Sequence, residues 1–134
     1  MMKKSKAIIY FIAFSAVLNA QSQSNMRINQ DAPVVQSGEI HIKATPEKVW
    51  TVLTQIEAWS NWNDKIKKPT INEEPKVGVS FTWKTNGSTI KSLIHTFDRN
   101  KSLGWTGKVF GVKAIHNWYL EPTQNGTQVV VKES

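Results

Sequence analysis

Ala44-Thr45-Pro46-Glu47-Lys48-Val49-Trp50 opens a helix directly after a strand, and that junction decides the fold. The Thr45 hydroxyl suits an N-cap, and Pro46 suits the first helical position, where no N–H is required. Upstream, Ile40, Ile42 and Ala44 alternate with Glu39, His41 and Lys43, the period of a half-buried strand. Downstream, the helix runs from Pro46 to about Thr54, with Val49, Val52, Leu53 and Ile56 spaced to face a core and Trp50 flanking them. Trp59 and Trp62 lie three apart, which sets both rings on one side of a second short helical turn. Core packing is the simplest role for the two rings; the functional alternative is that one of them lines the mouth of a cavity.

From Val77 the chain alternates strictly. Val77, Val79, Phe81 and Trp83 share one face, and Gly78, Ser80, Thr82 and Lys84 the other. Asn86-Gly87 is a two-residue hairpin signal. Counting back from it pairs Trp83 with Ile90, Phe81 with Ser92, Val79 with Ile94 and Val77 with Thr96. Ser92 is then a polar group on an apolar wall, and His95 points outward unless a bulge intervenes. A turn at Phe110-Gly111 pairs Gly107 with Ala114, Trp105 with His116 and Leu103 with Trp118. A turn at Asn125-Gly126 pairs Leu120 with Val131 and Trp118 with Glu133. Because cross-strand partners share a face, Trp105, His116, Trp118 and Glu133 are gathered on one side, with Glu133 diagonal to His116.

The words Ile42 to Trp50, Trp59 with Trp62-Asn63, Val77-Gly78 before Phe81, Trp105-Thr106-Gly107, Ala114-Ile115-His116 before Trp118, and Gly126-Thr127 leading to Glu133-Ser134 resemble the SRPBCC or START-like helix-grip superfamily, of polyketide cyclase/dehydrase and lipid transport type. The resemblance implies an α+β fold: a curved antiparallel sheet with two short helices between the first and second strands, enclosing an apolar ligand cavity. In relatives a long C-terminal helix follows the last strand, and this sequence stops before it. The resemblance therefore implies a domain incomplete at its C-terminus. Its concave face would leave Val79, Phe81, Trp83, Trp105, Trp118 and Leu120 in water, with self-association through that face as the fallback. On the order of 500 Å² left uncovered at ~25 cal/mol per Å² forfeits roughly 10 kcal/mol.

The 134 residues, 40% of them hydrophobic, support one domain. Lys3, Lys4 and Lys6 precede a 14-residue apolar run from Ala7 to Ala20. A membrane-spanning helix needs ~20 apolar residues, so residues 1–22 read as a signal peptide cleaved after Ala20 or Ser22, leaving no stable membrane anchor. Residues 23–36 read as a flexible lead-in or part of the first strand, and 37–134 as the domain. The mature protein is expected in the periplasm or secreted. With no cysteine it has no disulfides. Three of the 17 basic residues lie in the leader, so the mature chain carries 14 against 10 acidic residues, or +4. Lys65, Lys67 and Lys68 form a short run that a solvated loop explains better than a nucleic-acid groove, and no nucleic-acid partner is expected.

The cavity expected from parity is lined by Phe81, Trp83, Ser92, Trp105, His116 and Trp118, which suits a small apolar ligand. His116 and Glu133 are its strongly ionisable members. A carboxylate beside an imidazole favours the protonated ring, while burial opposes it. Such a pair can brace the wall, orient a ligand, or act as acid and base in a cyclase, dehydratase or hydrolase reaction. A triad of Ser92, His116 and Glu133 lacks the nucleophile turn it would need. His41 and His95 point away from His116, so no metal site is expected. Nucleotide cofactors are not expected either, since no phosphate loop or dinucleotide fingerprint occurs. A protein interaction module is the third reading.

Overall fold

The computed structural model describes residues 26–134. The expected signal peptide lies outside the described residues. The order is β1 (Gln36–Ile42), α1 (Pro46–Thr54), a 3-10 helix (Ile56–Asn61), then β2 (Lys67–Ile71), β3 (Ser80–Thr85), β4 (Ser88–Asp98), β5 (Ser102–Val109), β6 (Val112–Thr123) and β7 (Gly126–Glu133). The strands form one antiparallel sheet in the order β1-β7-β6-β5-β4-β3-β2. This is the α+β helix-grip arrangement, with both short helices between β1 and β2. Among the described residues, β7 is the last element.

The strand-to-helix junction is built as its residues dictate. Thr45 Oγ1 accepts from the Lys48 N–H at 3.2 Å, with Pro46 in the first turn. Thr127 Oγ1, on β7, donates to the Ala44 carbonyl at 2.7 Å and ties the junction to the sheet. The buried stripe of α1 is Val49, Trp50 and Leu53, whereas Val52 is 40% exposed. The expected face was thus rotated: Trp50 turns inward and meets Phe97 edge-on at 4.9 Å, taking the position assigned to Val52.

The two helices lie across the concave face. Val79, Phe81, Trp105 and Leu120 are all buried, 5% exposed or less, so the expectation that they remain open to water is corrected. Residues Val49 to Trp59 supply the cover; Trp83 and Trp118 stay half-buried.

Two hairpins have the counted register: Phe81 faces Ser92, Trp83 faces Ile90, Trp105 faces His116 and Leu103 faces Trp118. The counting holds as far as Val79, which still bonds Ile94, and fails beyond it. Both Gly78 N–H, donating to the Ile94 carbonyl, and the Val79 carbonyl, accepting from Ile94 N–H, serve one residue, so the strand bulges. Val77 is expelled and 43% exposed. The third hairpin differs by a step of two. Thr123 faces Gly126, so Gln124 and Asn125 form the loop, Leu120 faces Val129, and Glu133 lies directly opposite His116. The cause is Gly126 itself. A Cβ there would collide with the Ile42 backbone carbonyl, so the glycine is used for close approach to β1 rather than inside the turn. A two-residue shift preserves the face.

On the convex face a second bulge, between Ile94 and Thr96, adds His95. His95 does point outward, yet it is buried at 5% exposure. The Met26 N–H donates to its Nδ1 at 3.3 Å, and Asn117 Nδ2 donates to the Met26 carbonyl at 2.8 Å. Gly104 leaves the room, since a Cβ there would strike both His95 and Asn117. Asn29 N–H also donates to Ser134 Oγ at 2.8 Å, so the segment ahead of β1 is tied to the sheet at two places.

Replacing Gly126 with Ala should destabilise the protein by about 2–3 kcal/mol, because backbone rather than a flexible side chain blocks the new methyl. Gly38→Ala, where nothing lies within 4 Å, should change stability little. Urea unfolding of both variants checks the contrast.

Candidate functional site

The cover helices leave one end of the concave face incompletely closed. There a cleft of about 300 Å³ opens between the 3-10 helix and strands β3, β5, β6 and β7. Its walls are mainly indole rings: Trp62, Trp83, Trp105 and Trp118, with Trp59 beneath and Lys65 at the rim. Trp59 and Trp62, expected on one side of a turn, divide the two roles between them. Trp59 is 2% exposed and packs edge-on to Phe81 at 5.4 Å and tilted to Trp105 at 5.3 Å. Trp62 is 46% exposed and meets Trp118 edge-on at 6.5 Å.

His116 and Glu133 face each other across β6 and β7, with Nδ1 and Oε1 3.1 Å apart. The imidazole is stacked on Trp105 at 5.3 Å and 17°. That ring and the Glu133 contact hold it from two directions. With Nδ1 turned to Glu133, Nε2 sits over Gly107, 3.9 Å from where a Cβ would stand. Hydrogen bonding from His116 holds the Glu133 carboxyl below its ordinary 4.5 and outweighs the opposing effect of burial. Trp105 contributes a second polar feature: its Nε1–H is buried with no acceptor among the described residues. A buried donor left without a partner costs ~1–3 kcal/mol.

Of the residues expected to line the cavity, Trp83, Trp105, His116 and Trp118 do so, joined by Glu133. Phe81 and Ser92 belong to the concave wall but not to the cleft surface. Phe81 is covered by Trp59, and Ser92 is 3% exposed with its Oγ accepting from Trp83 Nε1 at 3.1 Å. Ser92 therefore fixes an indole of the wall. The cavity-mouth alternative weighed for the Trp59-Trp62 pair falls to Trp62, while sequence reasoning missed Asn63, Lys65 and Ile66, since the loop after the 3-10 helix has no period to place it. His41 is exposed on β1, bonded through Nε2 to Thr123 Oγ1 at 2.9 Å, and His95 is on the convex side, so the histidines occupy three separate places. A larger hollow of about 480 Å³ near Ile71 to Pro75 is bordered by Glu57, Glu73 and Glu74 and by no aromatic ring.

A curved sheet gripping two short helices over an aromatic cleft is the helix-grip class, a ligand-binding type of fold. The chain belongs to the polyketide cyclase / dehydrase and lipid transport family, which it matches over residues 34–134. It is similar to the crystal structure of protein MLL2253 from Mesorhizobium loti, at 25% identity and TM-score 0.64, over 75% of this chain and 76% of that one. The solution structure of the Aha1 dimer from Colwellia psychrerythraea matches at 24% identity and TM-score 0.62, covering 75% of each chain. The hypothetical protein jhp0584 from Helicobacter pylori matches at 18% identity and TM-score 0.71, over 80% and 72%. The last two likenesses are of fold alone. No curated protein sequence matches the chain.

A carboxyl whose folded pKa is depressed stabilises the fold above its unfolded value and loses that contribution as pH falls through the folded one. Stability should therefore drop as pH is lowered below about 4.5 through Glu133 protonation. Glu133→Gln should flatten this part of the acid limb. With the Glu133 side chain 43% exposed, solvent screening limits the difference to below about 1 kcal/mol. Thermal melts of both proteins across the acid range measure it.

Proposed function

We propose that the protein binds and carries a small, largely apolar molecule bearing one oxygen acceptor, held in the cleft among Trp62, Trp83, Trp105 and Trp118. The observation that carries this reading is a cleft walled largely by tryptophans, one of which, Trp105, has a buried Nε1–H without an acceptor among the described residues. Pockets for drug-sized ligands span ~300–1,000 Å³. At about 300 Å³ the cleft suits a ring or a short acyl chain rather than a whole phospholipid. A carbonyl or hydroxyl oxygen near Trp105 would supply the missing acceptor, and His116 would meet the same polar end.

A second reading is favoured by the geometry of His116, whose Nδ1 engages Glu133 while Nε2 remains on the ligand side. An imidazole oriented by a carboxylate can give or take a proton at Nε2. The reaction would be a proton transfer at a carbon beside a carbonyl, as in cyclisation or dehydration. Export, expected from Lys3 to Ala20, would set either activity in the periplasm or outside the cell. Mass spectrometry of the mature protein should then find an N-terminus near Gln21 or Gln23, and intact Met1 in a membrane fraction would contradict export.

Identification of what copurifies from the native compartment separates the readings. An intact hydrophobe that leaves Trp118→Ala with at least about tenfold weaker binding, as expected for loss of a buried aromatic wall, supports carriage. Conversion of the bound molecule, abolished in His116→Ala with binding retained, supports catalysis. Trp83→Ala binding the copurified molecule as tightly as the parent would remove the cleft as the site.

A further inference from the structure

The β5–β6 hairpin ends in Lys108-Val109-Phe110-Gly111-Val112-Lys113, and its tip is apolar and in water: Phe110 is 90% exposed and Val112 66%. The tip is also costly in backbone terms. Phe110 and Gly111 have φ of +49° and +77°, nearly the angles of Asn86 and Gly87 (+48° and +76°) at the β3–β4 turn. Asparagine tolerates the left-handed region through its short polar side chain; a phenylalanine gains nothing there. Folding alone would favour Asn at position 110, as it does at position 86.

Beside the tip, the convex face is arranged with like charges opposite one another. Lys91 faces Lys108, which faces Lys113, and Lys67 faces Lys84 on the neighbouring strands. Directly opposed like charges destabilise a sheet. The other convex positions of β3 to β6 at this end are Ser80, Thr82, Thr89, Leu93, Thr106 and Ile115, with no carboxylate among them. Strain at Phe110 and repulsion in the lysine rows would both be relieved by one partner, an extended anionic surface with an apolar layer beneath it.

We propose that this end of the sheet docks reversibly, tip first, on an anionic phospholipid membrane, with Phe110 and, from the opposite side of the hairpin, Val112 entering the acyl boundary and Lys91, Lys108 and Lys113 facing the phosphates. A protruding tip suits insertion into a yielding layer rather than the groove of a folded partner. A second copy of the chain is disfavoured because its own lysine rows would be brought against these. The turn at Asn86-Gly87 lies at the same end of the sheet as the Phe110 tip, and Thr85 beside it borders the cleft, so docking would bring the cleft toward the membrane. The inference does not depend on what the cleft holds.

Cosedimentation with vesicles of phosphatidylglycerol and phosphatidylcholine, against vesicles of phosphatidylcholine alone, tests it. Binding is expected to the anionic vesicles only and to weaken with salt. The triple variant Lys91→Gln, Lys108→Gln, Lys113→Gln should lower partitioning on the order of a hundredfold, from ~1 kcal/mol per lysine near an anionic surface. Phe110→Asn should lower it at least about tenfold while the melting temperature holds or rises, which rules out misfolding as the cause. Equal binding to both vesicle types, no binding, or binding unaffected by Phe110→Asn would overturn the proposal. So would a dimer in vesicle-free solution that Phe110→Asn dissolves, or salt-sensitive binding to a polynucleotide that exceeds binding to the anionic vesicles.

Discussion

Burial of the Trp59 side chain is the contact on which the concave half of the molecule depends. Its Nε1–H donates to the Leu53 carbonyl at 2.9 Å, satisfying an orphan acceptor at the end of α1. Its ring stands against Phe81 and Trp105 of the sheet. One residue of the 3-10 helix thus closes the end of α1 and fastens both helices to β3 and β5. Aromatic pairs of this kind contribute ~0.5–1.5 kcal/mol beyond the area they bury. The cover they secure extends over Phe81 and Leu120 but thins toward Trp62, and the cleft occupies that thinning edge.

The cleft follows from where the cover stops and from small residues on the strands beneath it. Gly107 lies between Ser92 and Ala114 across three strands, so the wall beside His116 carries little side-chain bulk. Ser92 is spent on Trp83, Glu133 on His116, and Trp105 stacks on that imidazole. Several polar groups of the wall are thus held by a neighbour, whereas the buried Trp105 N–H has no acceptor among the described residues. A buried donor without an acceptor costs ~1–3 kcal/mol, which an oxygen acceptor reaching it would recover.

The convex face is organised by different needs. Near β4's bulge it is closed by the Met26 backbone, which His95 and Asn117 engage over the bare Gly104. Toward the Phe110 tip it is open, cationic and strained. A sheet has two faces and every strand serves both, so a shift of one residue would exchange them. The bulges at Gly78–Val79 and at His95 absorb extra residues without that exchange, which keeps the indoles inward and the lysines outward.

Much of the architecture was legible in the order of residues because it rests on local rules. The Thr45-Pro46 start, the alternation through Phe81 and Trp83, and the turns at Asn86-Gly87 and Phe110-Gly111 follow from capping, strand period and tight turns, and from these came the shared face of Trp105, His116, Trp118 and Glu133. The face of Glu133 could be counted, but its partner could not, because Gly126 answers to the Ile42 carbonyl of a strand more than 80 residues away. For the same reason Val52 and Trp50 exchanged roles: a nine-residue helix has several apolar stripes, and Phe97 across the sheet selects among them. The depth of Phe81 and Ser92, the exposure of Trp62 and the concealment of His95 were likewise settled only in three dimensions. Sequence period determines which way a side chain points; what stands in front of it belongs to elements distant in the chain, and only tertiary packing decides that.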